Sequence, residues 1–293
     1  MPQNIRELKP KDKDFPALLH EIPWPPKKLY LWAKSDFQFP TSHFLSVVGT
    51  RRNSAYGEEI LRKIITELSP YGFCTVSGMA LGIDTIAAKA SLENNIPTVA
   101  VLGSGMSPEA FYPAKNFKLA EEIVAKGGAI ISEYEPDFKA TLWSFPQRNR
   151  IISGLSPATL VVEAPEKSGS LITARFALDQ NRDVLAIPGG AYSQNSKGTN
   201  KLIKEGAGLV TSADDILRAY GLEISGRSDL PARSDLQNLS PEENKILEIL
   251  AEPQDIDSLI RKSKMPSNIA QSIIGLLEIR GIIKKVGSDY ARM

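Results

Sequence analysis

The chain has 293 residues, of which 42% are hydrophobic and 24% charged, and its formal net charge is +1. This length and composition predict a globular protein with one large domain and room for a small one, without a membrane span or a signal peptide. A near-neutral balance also gives no general attraction for nucleic acid, so any anion site must come from local clustering of cations.

One cysteine and two histidines leave little scope for metal or redox chemistry. Cys74 lies in an apolar segment, which is typical of a buried structural thiol, and a single cysteine fits a reducing cytoplasm. Two histidines and one cysteine argue against a zinc site. His20 and His43 both precede the main predicted domain, which argues against a Ser-His-Asp triad near its crevice. We therefore expect no metal, no cofactor and a cytoplasmic location.

Residues 1–43 are rich in proline, lysine and aromatic residues. The Pro25-Pro26 pair forces extended backbone. We predict a short helix near residues 17–20, followed by an arm whose aromatic side chains pack on the main domain.

From Phe44 onwards, apolar runs alternate with amphipathic stretches. Continuous apolar runs such as 98–102 indicate strands buried on both faces, and hence a parallel sheet with helices on each side. The prediction is an extended Rossmann-like, doubly wound, mostly parallel α/β domain over residues 44–221. Its predicted strands are 44–48, 73–76, 98–102, 129–132, 158–162, 184–187 and one near 208–211. Its predicted helices lie near 55–68, 82–94, 114–126, 149–153, 170–180, 199–205 and 213–220.

Residues 222–239 are polar and small, which is typical of a linker. Ser240, Pro241 and Glu243 then form the pattern that starts a helix. Two further helices, at 255–262 and 267–279, and a hairpin at 281–290 complete a predicted winged-helix-like domain over residues 240–293.

The most informative motif is the glycine turn Gly49-Thr50-Arg51-Arg52, between the first strand of the main domain and its first helix. At such turns, α/β proteins bind phosphates through free backbone N–H groups and the helix dipole. The turn lacks the G-x-G-x-x-G pattern of dinucleotide sites, and its two arginines carry planar forks that match phosphate oxygens. The sequence therefore predicts a phosphate-binding domain that is not a dinucleotide dehydrogenase.

Other loops that follow predicted strands also carry cations. Because the carboxyl ends of parallel strands share one edge of a sheet, six cations are expected there: Arg51, Arg52, Arg148, Arg150, Lys167 and Lys197. Gly169 and Ser170 begin a helix directly after Lys167 and add backbone donors. Such a row could follow a phosphodiester backbone. Each cation could equally be solvated, or paired with a local carboxylate such as Glu133 or Glu163.

Candidate catalytic groups are few. Asp84 is predicted to act as a cap or an ion-pair partner, whereas Glu163, directly after a buried strand, is the most enzyme-like acid. The sequence contains no H-E-x-x-H, paired-cysteine or P-loop pattern. Phe111, Tyr112 and Phe145 are candidates either for stacking on bases or for packing in the core.

These residues resemble the bacterial DNA-processing protein A (DprA, also called Smf) family. The resemblance rests on the order and spacing of motifs along nearly the whole chain: Val48–Arg51, Ser77–Asp84, Tyr112-Pro113, Phe145–Gly154, Lys167–Ala174, Pro188-Gly189 and Gly198–Asn200. It implies a non-enzymatic protein that binds single-stranded DNA in natural transformation, protects the incoming strand and helps load the RecA recombinase, usually as a homodimer.

The resemblance assigns DNA contacts to Arg51, to Lys167 with Gly169 and Ser170, and to Arg148 and Arg150. Combined with the phosphate-binding turn, the predicted site is Gly49, Thr50, Arg51, Arg52, Arg148, Arg150, Lys167, Gly169 and Ser170. We expect no catalytic residue. Many members of the family carry a small helical domain before the Phe15-Pro16 segment, and we expect it to be reduced or missing here.

Two alternatives remain open. A Rossmann-like nucleotide phosphoribohydrolase would carry a compact Pro-Gly-Gly-x-Gly-Thr-x-x-Glu, whereas here seven residues separate Gly190 from Gly198 and Leu202 stands where the glutamate would be. A transcription regulator would need a basic recognition helix, and the helix at 267–279 is not basic. Both departures favour the single-strand binder.

Overall fold

We describe a computed structural model of the protein, which covers residues 5–39, 43–222, 240–250, 253–279, 282–286 and 289–292. The chain divides into two units, Met1–Glu223 and Ile224–Met293. All of the predicted linker 222–239 except residue 222 lies outside the described residues, as do parts of the predicted hairpin at 281–290.

A nine-stranded sheet forms the centre of the first unit, in the order β1-β2-β6-β5-β4-β3-β7-β8-β9. The strands are β1 Ile5–Leu8, β2 Leu29–Trp32, β3 His43–Val48, β4 Phe73–Ser77, β5 Thr98–Leu102, β6 Ala129–Ser132, β7 Ala158–Val161, β8 Asp183–Ala186 and β9 Gly208–Leu209. β2 pairs antiparallel with both β1 and β6, and the strands from β6 to β9 in the sheet order pair parallel. The predicted doubly wound, mostly parallel sheet is confirmed.

Seven α-helices are described in this unit: α1 Ala55–Leu68, α2 Ile83–Glu93, α3 Phe117–Ala125, α4 Ser144–Gly154, α5 Ser170–Asp179, α6 Lys197–Lys204 and α7 Ala213–Ala219. The prediction was wrong about the start of α4, which begins five residues before residue 149. Pro146 lies in the first turn of α4, where its missing N–H breaks no helical hydrogen bond. The helix therefore includes residues 144–148, which precede the predicted helix near 149–153.

The N-terminal segment contributes two strands that the sequence analysis did not predict. All four residues of β2 are buried, and Leu31 lies opposite Ile131 of β6. A 3-10 turn at Ala17–His20 occupies the place of the predicted short helix. Its Leu19 and the nearby Ile22 are buried against Gly154 at the end of α4. The segment is thus part of the sheet and its core.

Hydrophobic clusters cover the two faces of the sheet. On β5, Val99 and Val101 belong to one cluster, whereas Ala100 and Leu102 belong to another. Successive side chains of a strand point to opposite faces, so a strand covered on both sides is apolar at every position. Cys74 is fully buried in the first cluster, and burial raises the pKa of its thiol.

Three α-helices and a small sheet are described in the second unit. The helices are α8 Pro241–Ile249, α9 Ile256–Ser263 and α10 Ser267–Ile279, and the strands are β10 Gln254–Asp255, β11 Ile283–Val286 and β12 Asp289–Arg292, in the order β10-β12-β11. The predicted helix start is present as a capping box, in which the Ser240 N–H donates to Glu243 at 2.8 Å and the Glu243 N–H donates to the Ser240 hydroxyl at 3.1 Å. Ile246, Leu259 and Ile274 belong to the hydrophobic core of the second unit.

If β2 is integral to the sheet, Leu31→Ala will lower the free energy of unfolding by about 2–5 kcal/mol, because it empties a fully buried leucine position. The matched control is Leu142→Ala, the same change at a leucine that is 93% exposed, which is expected to stay within about 0.5 kcal/mol of wild type. Urea unfolding followed by circular dichroism measures both. Equal midpoints for the two variants would show that β2 is not part of the cooperative core.

Candidate nucleic-acid interface

The strand order reverses at β3, which lies between β4 and β7. Two hydrogen bonds join the end of β3 and the turn after it to the residues that follow β7. The Val162 N–H donates to the Val48 carbonyl at 3.0 Å, and the Thr50 N–H donates to the Glu163 carbonyl at 2.8 Å. A groove of about 410 Å³ opens at this carboxyl edge. In open α/β sheets, ligands bind at such a reversal. We call it the switch-point groove, and its lining includes Arg51, Tyr112, Leu142, Phe145, Arg148 and Gly169.

Close contact with α2 shapes the glycine turn after β3. A Cβ at Gly49 would lie 2.6 Å from a side-chain carbon of Ile83, so a larger residue would displace the helix. Thr50 is buried, and its carbonyl accepts a hydrogen bond of 3.2 Å from the Ile83 N–H. The next two side chains, Arg51 and Arg52, are exposed. The turn therefore presents both arginines at the edge of the sheet.

The two arginines differ in their surroundings. Arg51 lines the groove, and its guanidinium lies 5.5 Å from the centre of the Phe145 ring, which makes a cation–π contact. Arg52 does not line the groove. Its N–H donates to the Thr50 hydroxyl at 3.2 Å, and its carbonyl accepts from the Asn195 amide at 2.9 Å. Of the two arginines, Arg51 is thus the one that a ligand in the groove would contact.

An anion does lie at the N-terminus of α1, as the turn predicts, but it is the internal carboxylate of Glu163. One of its oxygens accepts from the Ser54 N–H at 2.8 Å and the other from the Ser54 hydroxyl at 2.6 Å. Glu163 is 2% exposed, and a Cβ at Gly57 would collide with it. The most enzyme-like acid of the sequence is therefore a buried cap on a helix. It fills the position where a Rossmann-like fold binds a phosphate.

The N-terminus of α5, by contrast, is open to the groove. Ser168, Gly169 and Ser170 line it, and an added Cβ at Gly169 would meet no atom within 4 Å. The exposed Lys167 precedes them, so an ammonium group and the positive end of a helix dipole occur together. Within the described residues, neither Lys167 nor Arg51 forms a salt bridge. Both cations are available to a ligand.

Arg148 and Asp84 form a buried polar floor under the groove. The Arg148 guanidinium donates to the carbonyl oxygens of Gly78, at 2.5 Å, and Val101. The Asp84 carboxylate accepts from the N–H groups of Gly78, at 3.1 Å, and Ala80, at 3.2 Å. Burial lowers the pKa of Arg148 to about 10 and raises the pKa of Asp84 to about 6. The opposite charge of each group opposes these shifts, because it stabilises the charged form of its partner. Burial thus disfavours the charged form of both groups, and their mutual attraction offsets part of this effect.

Arg150 is also inside the protein, at 6% exposure, and its guanidinium donates to the Glu133 carboxylate at 2.7 Å. Arg148 and Arg150 were expected among the loop cations because the predicted start of α4 was too late, and the alternative of a pair with Glu133 is what Arg150 forms. On the helix, both side chains are directed to internal partners. A direct contact of either with DNA stays a prediction, and the geometry favours a role in holding α4 and the groove floor.

The aromatic candidates separate into core and groove. Phe111 is buried and packs edge-on against Phe117 at 5.2 Å. Tyr112 lines the groove, is half exposed, and lies 5.4 Å from the Phe145 ring.

Lys197 is exposed at the first position of α6 but does not line the groove.

Two exposed residues beside the groove, Leu142 and Trp143, were not predicted as site residues. In the sequence they look like ordinary core residues, and only their place after the strand that became β6 could have indicated the edge of the sheet.

Within the described part of the chain, no group of three or more His, Cys, Asp or Glu side chains could hold a metal ion. None of the helices there is both long and apolar enough to cross a membrane.

Comparison with known proteins gives two matches to family models. One, described as DNA recombination-mediator protein A, matches residues 6–221, and the other, described as the DprA winged helix domain, matches residues 230–287. The chain belongs to the DNA-processing protein A family. The second match also confirms the predicted winged-helix domain, and the resemblance found in the sequence is confirmed.

Other DprA family members are similar over most of this chain. Protein Smf of Escherichia coli is 36% identical, covering 99% of this chain and 78% of its own length. The DprA of Bacillus subtilis is 40% identical, over 73% of this chain and 71% of its own. Among solved structures, the DprA of Streptococcus pneumoniae is 37% identical with a TM-score of 0.67, and covers 76% of each chain. The DprA of Helicobacter pylori, described for its single-stranded DNA binding mode, is 29% identical with a TM-score of 0.64, over 75% of this chain and 98% of its own.

The raised pKa of Asp84 predicts a pH dependence of stability. The folded state binds the Asp84 proton more tightly than the unfolded state, so this group's contribution is present below about pH 4 and is lost as pH rises to about 6. The unfolding free energy of wild type minus that of Asp84→Asn should therefore fall by on the order of 2–3 kcal/mol across this range. Urea titrations between pH 4 and 8 measure the difference, and parallel curves would contradict it.

Removing the Glu163 cap should expose an anion site. Glu163→Ala leaves the Ser54 N–H and hydroxyl without their acceptor, which is expected to cost about 1–3 kcal/mol. Inorganic phosphate should then raise the melting temperature of the variant more than that of wild type, because it can replace the lost carboxylate at the helix start. Chloride at the same ionic strength is the control. Equal shifts in both proteins would show that no phosphate position lies beneath the carboxylate.

Proposed function

We propose that this chain binds single-stranded DNA along the carboxyl edge of its main sheet. The observation that carries the proposal is the pair of exposed, unbridged cations Arg51 and Lys167, which flank the reversal of strand order beside the switch-point groove. Cations set in a row neutralise successive phosphates, and this supplies affinity that is indifferent to sequence.

Two features favour a strand of nucleic acid over a free nucleotide. The position that would hold a nucleotide phosphate, at the start of α1, is filled by Glu163. The exposed cations Arg51 and Lys167 lie on the turn after β3 and just before α5, and a chain of phosphates requires such separated contacts. The exposed Tyr112 ring beside Arg51 favours a single strand, because a flat aromatic surface can stack on an unpaired base.

The nine predicted site residues take different parts in this proposal. Arg51 and Lys167 contact phosphates directly, and Gly169 and Ser170 offer the open helix start. Gly49 and Thr50 shape the turn, Arg148 and Arg150 support the groove from beneath, and Arg52 contributes its exposed charge at the margin. The DNA-binding mode described for the DprA of Helicobacter pylori supports the same class of ligand.

Family membership supports a wider role. We propose that the protein acts without catalysis as a homodimer in the cytoplasm, protects incoming DNA during natural transformation, and passes it to the RecA recombinase. The family description as a recombination mediator agrees with such a transfer.

The test is a titration of dye-labelled oligo(dT) followed by fluorescence anisotropy at two salt concentrations. Wild type should bind more weakly at high salt. The Arg51→Ala, Lys167→Ala double variant should bind at least about tenfold more weakly, and its slope of log affinity against log salt should be shallower by about 1.4, since two phosphate contacts are lost. A duplex of the same length should bind more weakly than the single strand.

The matched control is the Lys63→Ala, Lys201→Ala double variant, which removes the same charge from two exposed lysines paired within their own helices. It should bind like wild type. Recovery of intact oligonucleotide after the titration would agree with a non-enzymatic role. Wild-type affinity in the Arg51, Lys167 variant, with a normal melting temperature, would overturn the site assignment.

A further inference from the structure

An exposed apolar surface lies just beyond the groove. Leu142 is 93% exposed and Trp143 is 55% exposed, immediately before α4. Exposed large apolar side chains that adjoin one another are uncommon on a protein that has no ligand for them. We call Leu142, Trp143 and the two rings that contact Trp143, Tyr134 and Phe138, the aromatic ledge.

Ring contacts and a hydrogen bond hold the aromatic ledge in place. The Tyr134 and Phe138 rings stack at 4.5 Å with an angle of 15°, and the Trp143 ring meets them at 5.8 Å and 5.9 Å. The Tyr134 hydroxyl donates to the Ser144 carbonyl at 3.3 Å, which ties the stack to the first residue of α4. The Trp143 side chain is thus supported on one side by two rings while about half of its surface stays exposed.

The ledge continues the switch-point groove. Leu142 lines the groove, and the ledge follows β6, whereas Lys167 follows β7. The sheet order places four strand spacings between β7 and β6, or about 19 Å. One edge thus carries cations at its β7 and β3 end and aromatic rings at its β5 and β6 end, where Tyr112 follows β5.

Two of the three carboxylates in the segment 133–137, which leads into the ledge, are neutralised, whereas the third, Asp137, is exposed. Glu133 is paired with Arg150 at 2.7 Å, and Glu135 is paired with Lys28 at 2.6 Å. A polyanion that crossed the ledge would therefore meet little repulsion from these two groups.

We propose that bases of the bound single strand stack on Trp143, so that the ledge holds the DNA by its bases while Arg51 and Lys167 hold it by its phosphates. The proposal rests on the proposed function and extends the same site. Bases are the occupant that the surroundings favour, because the ledge is continuous with a groove that carries unpaired cations. Every base has a flat face, so this contact adds affinity without sequence preference.

The experiment combines two readouts in one titration with labelled oligo(dT): dye anisotropy reports DNA binding, and tryptophan emission reports the ledge. In Trp24→Phe, the exposed reporter that remains in the described residues is Trp143, since Trp32 is 5% exposed. Its emission should be quenched as DNA saturates. Trp143→Ala should weaken binding about 5- to 100-fold, whereas Trp143→Phe, which keeps a ring, should recover most of the affinity.

Two controls separate stacking from other causes. Trp24→Ala removes a tryptophan that is also more than half exposed and should bind like wild type. An abasic strand of the same length keeps the phosphates but has no bases, so Trp143→Ala and wild type should bind it equally.

Normal affinity of Trp143→Ala for oligo(dT), with unquenched emission, would overturn this inference and leave the proposed function standing. The same penalty on the abasic strand would also overturn it. No rise in anisotropy for wild type would remove the proposed function, and this inference with it.

Discussion

The carboxylate of Glu163 joins the two halves of the sheet where the strand order reverses. It comes from the loop after β7, yet it caps the helix that follows β3 through the N–H and hydroxyl of Ser54. A backbone hydrogen bond from Thr50 to the Glu163 carbonyl runs beside it. These bonds hold the two loops together, and they also remove the usual anion position of the fold from use. A ligand must therefore bind to groups other than those that Glu163 occupies at the start of α1.

Because Glu163 occupies the usual anion position, the groups that a ligand could contact lie elsewhere along the carboxyl edge of the sheet. The charge nearest the groove floor, Arg148, is bound to carbonyl oxygens and faces Asp84, so it sets the local potential from beneath the surface. The cations that remain accessible belong to separate loops. A fold that elsewhere encloses one compact ligand thus offers an open row of contacts here, and such a row suits a long, flexible polyanion.

The sequence predicted the parallel strands, most helices of the first unit and the exposed pair Arg51 and Lys167, because these depend on apolar periodicity and on the shared edge of parallel strands. It missed β1 and β2, since strands of four residues between prolines leave no periodic signal. It grouped Arg148 and Arg150 with the loop cations, whereas their burial depends on where α4 begins. The cap by Glu163 joins residues 109 apart in the chain, and no local pattern reports such a contact.

The N-terminal strands bear on how the chain is made. Leu31 of β2 pairs with Ile131 of β6, so 100 residues (131 − 31) separate these partners. At usual rates of synthesis, β2 leaves the ribosome about 5–20 s before β6 exists. For that interval the nascent chain displays Leu29–Trp32, four residues that are all buried in the finished fold. Until β6 is made, β2 is thus a hydrophobic segment with only β1 as a strand partner, and exposed apolar segments of nascent chains are what chaperones bind.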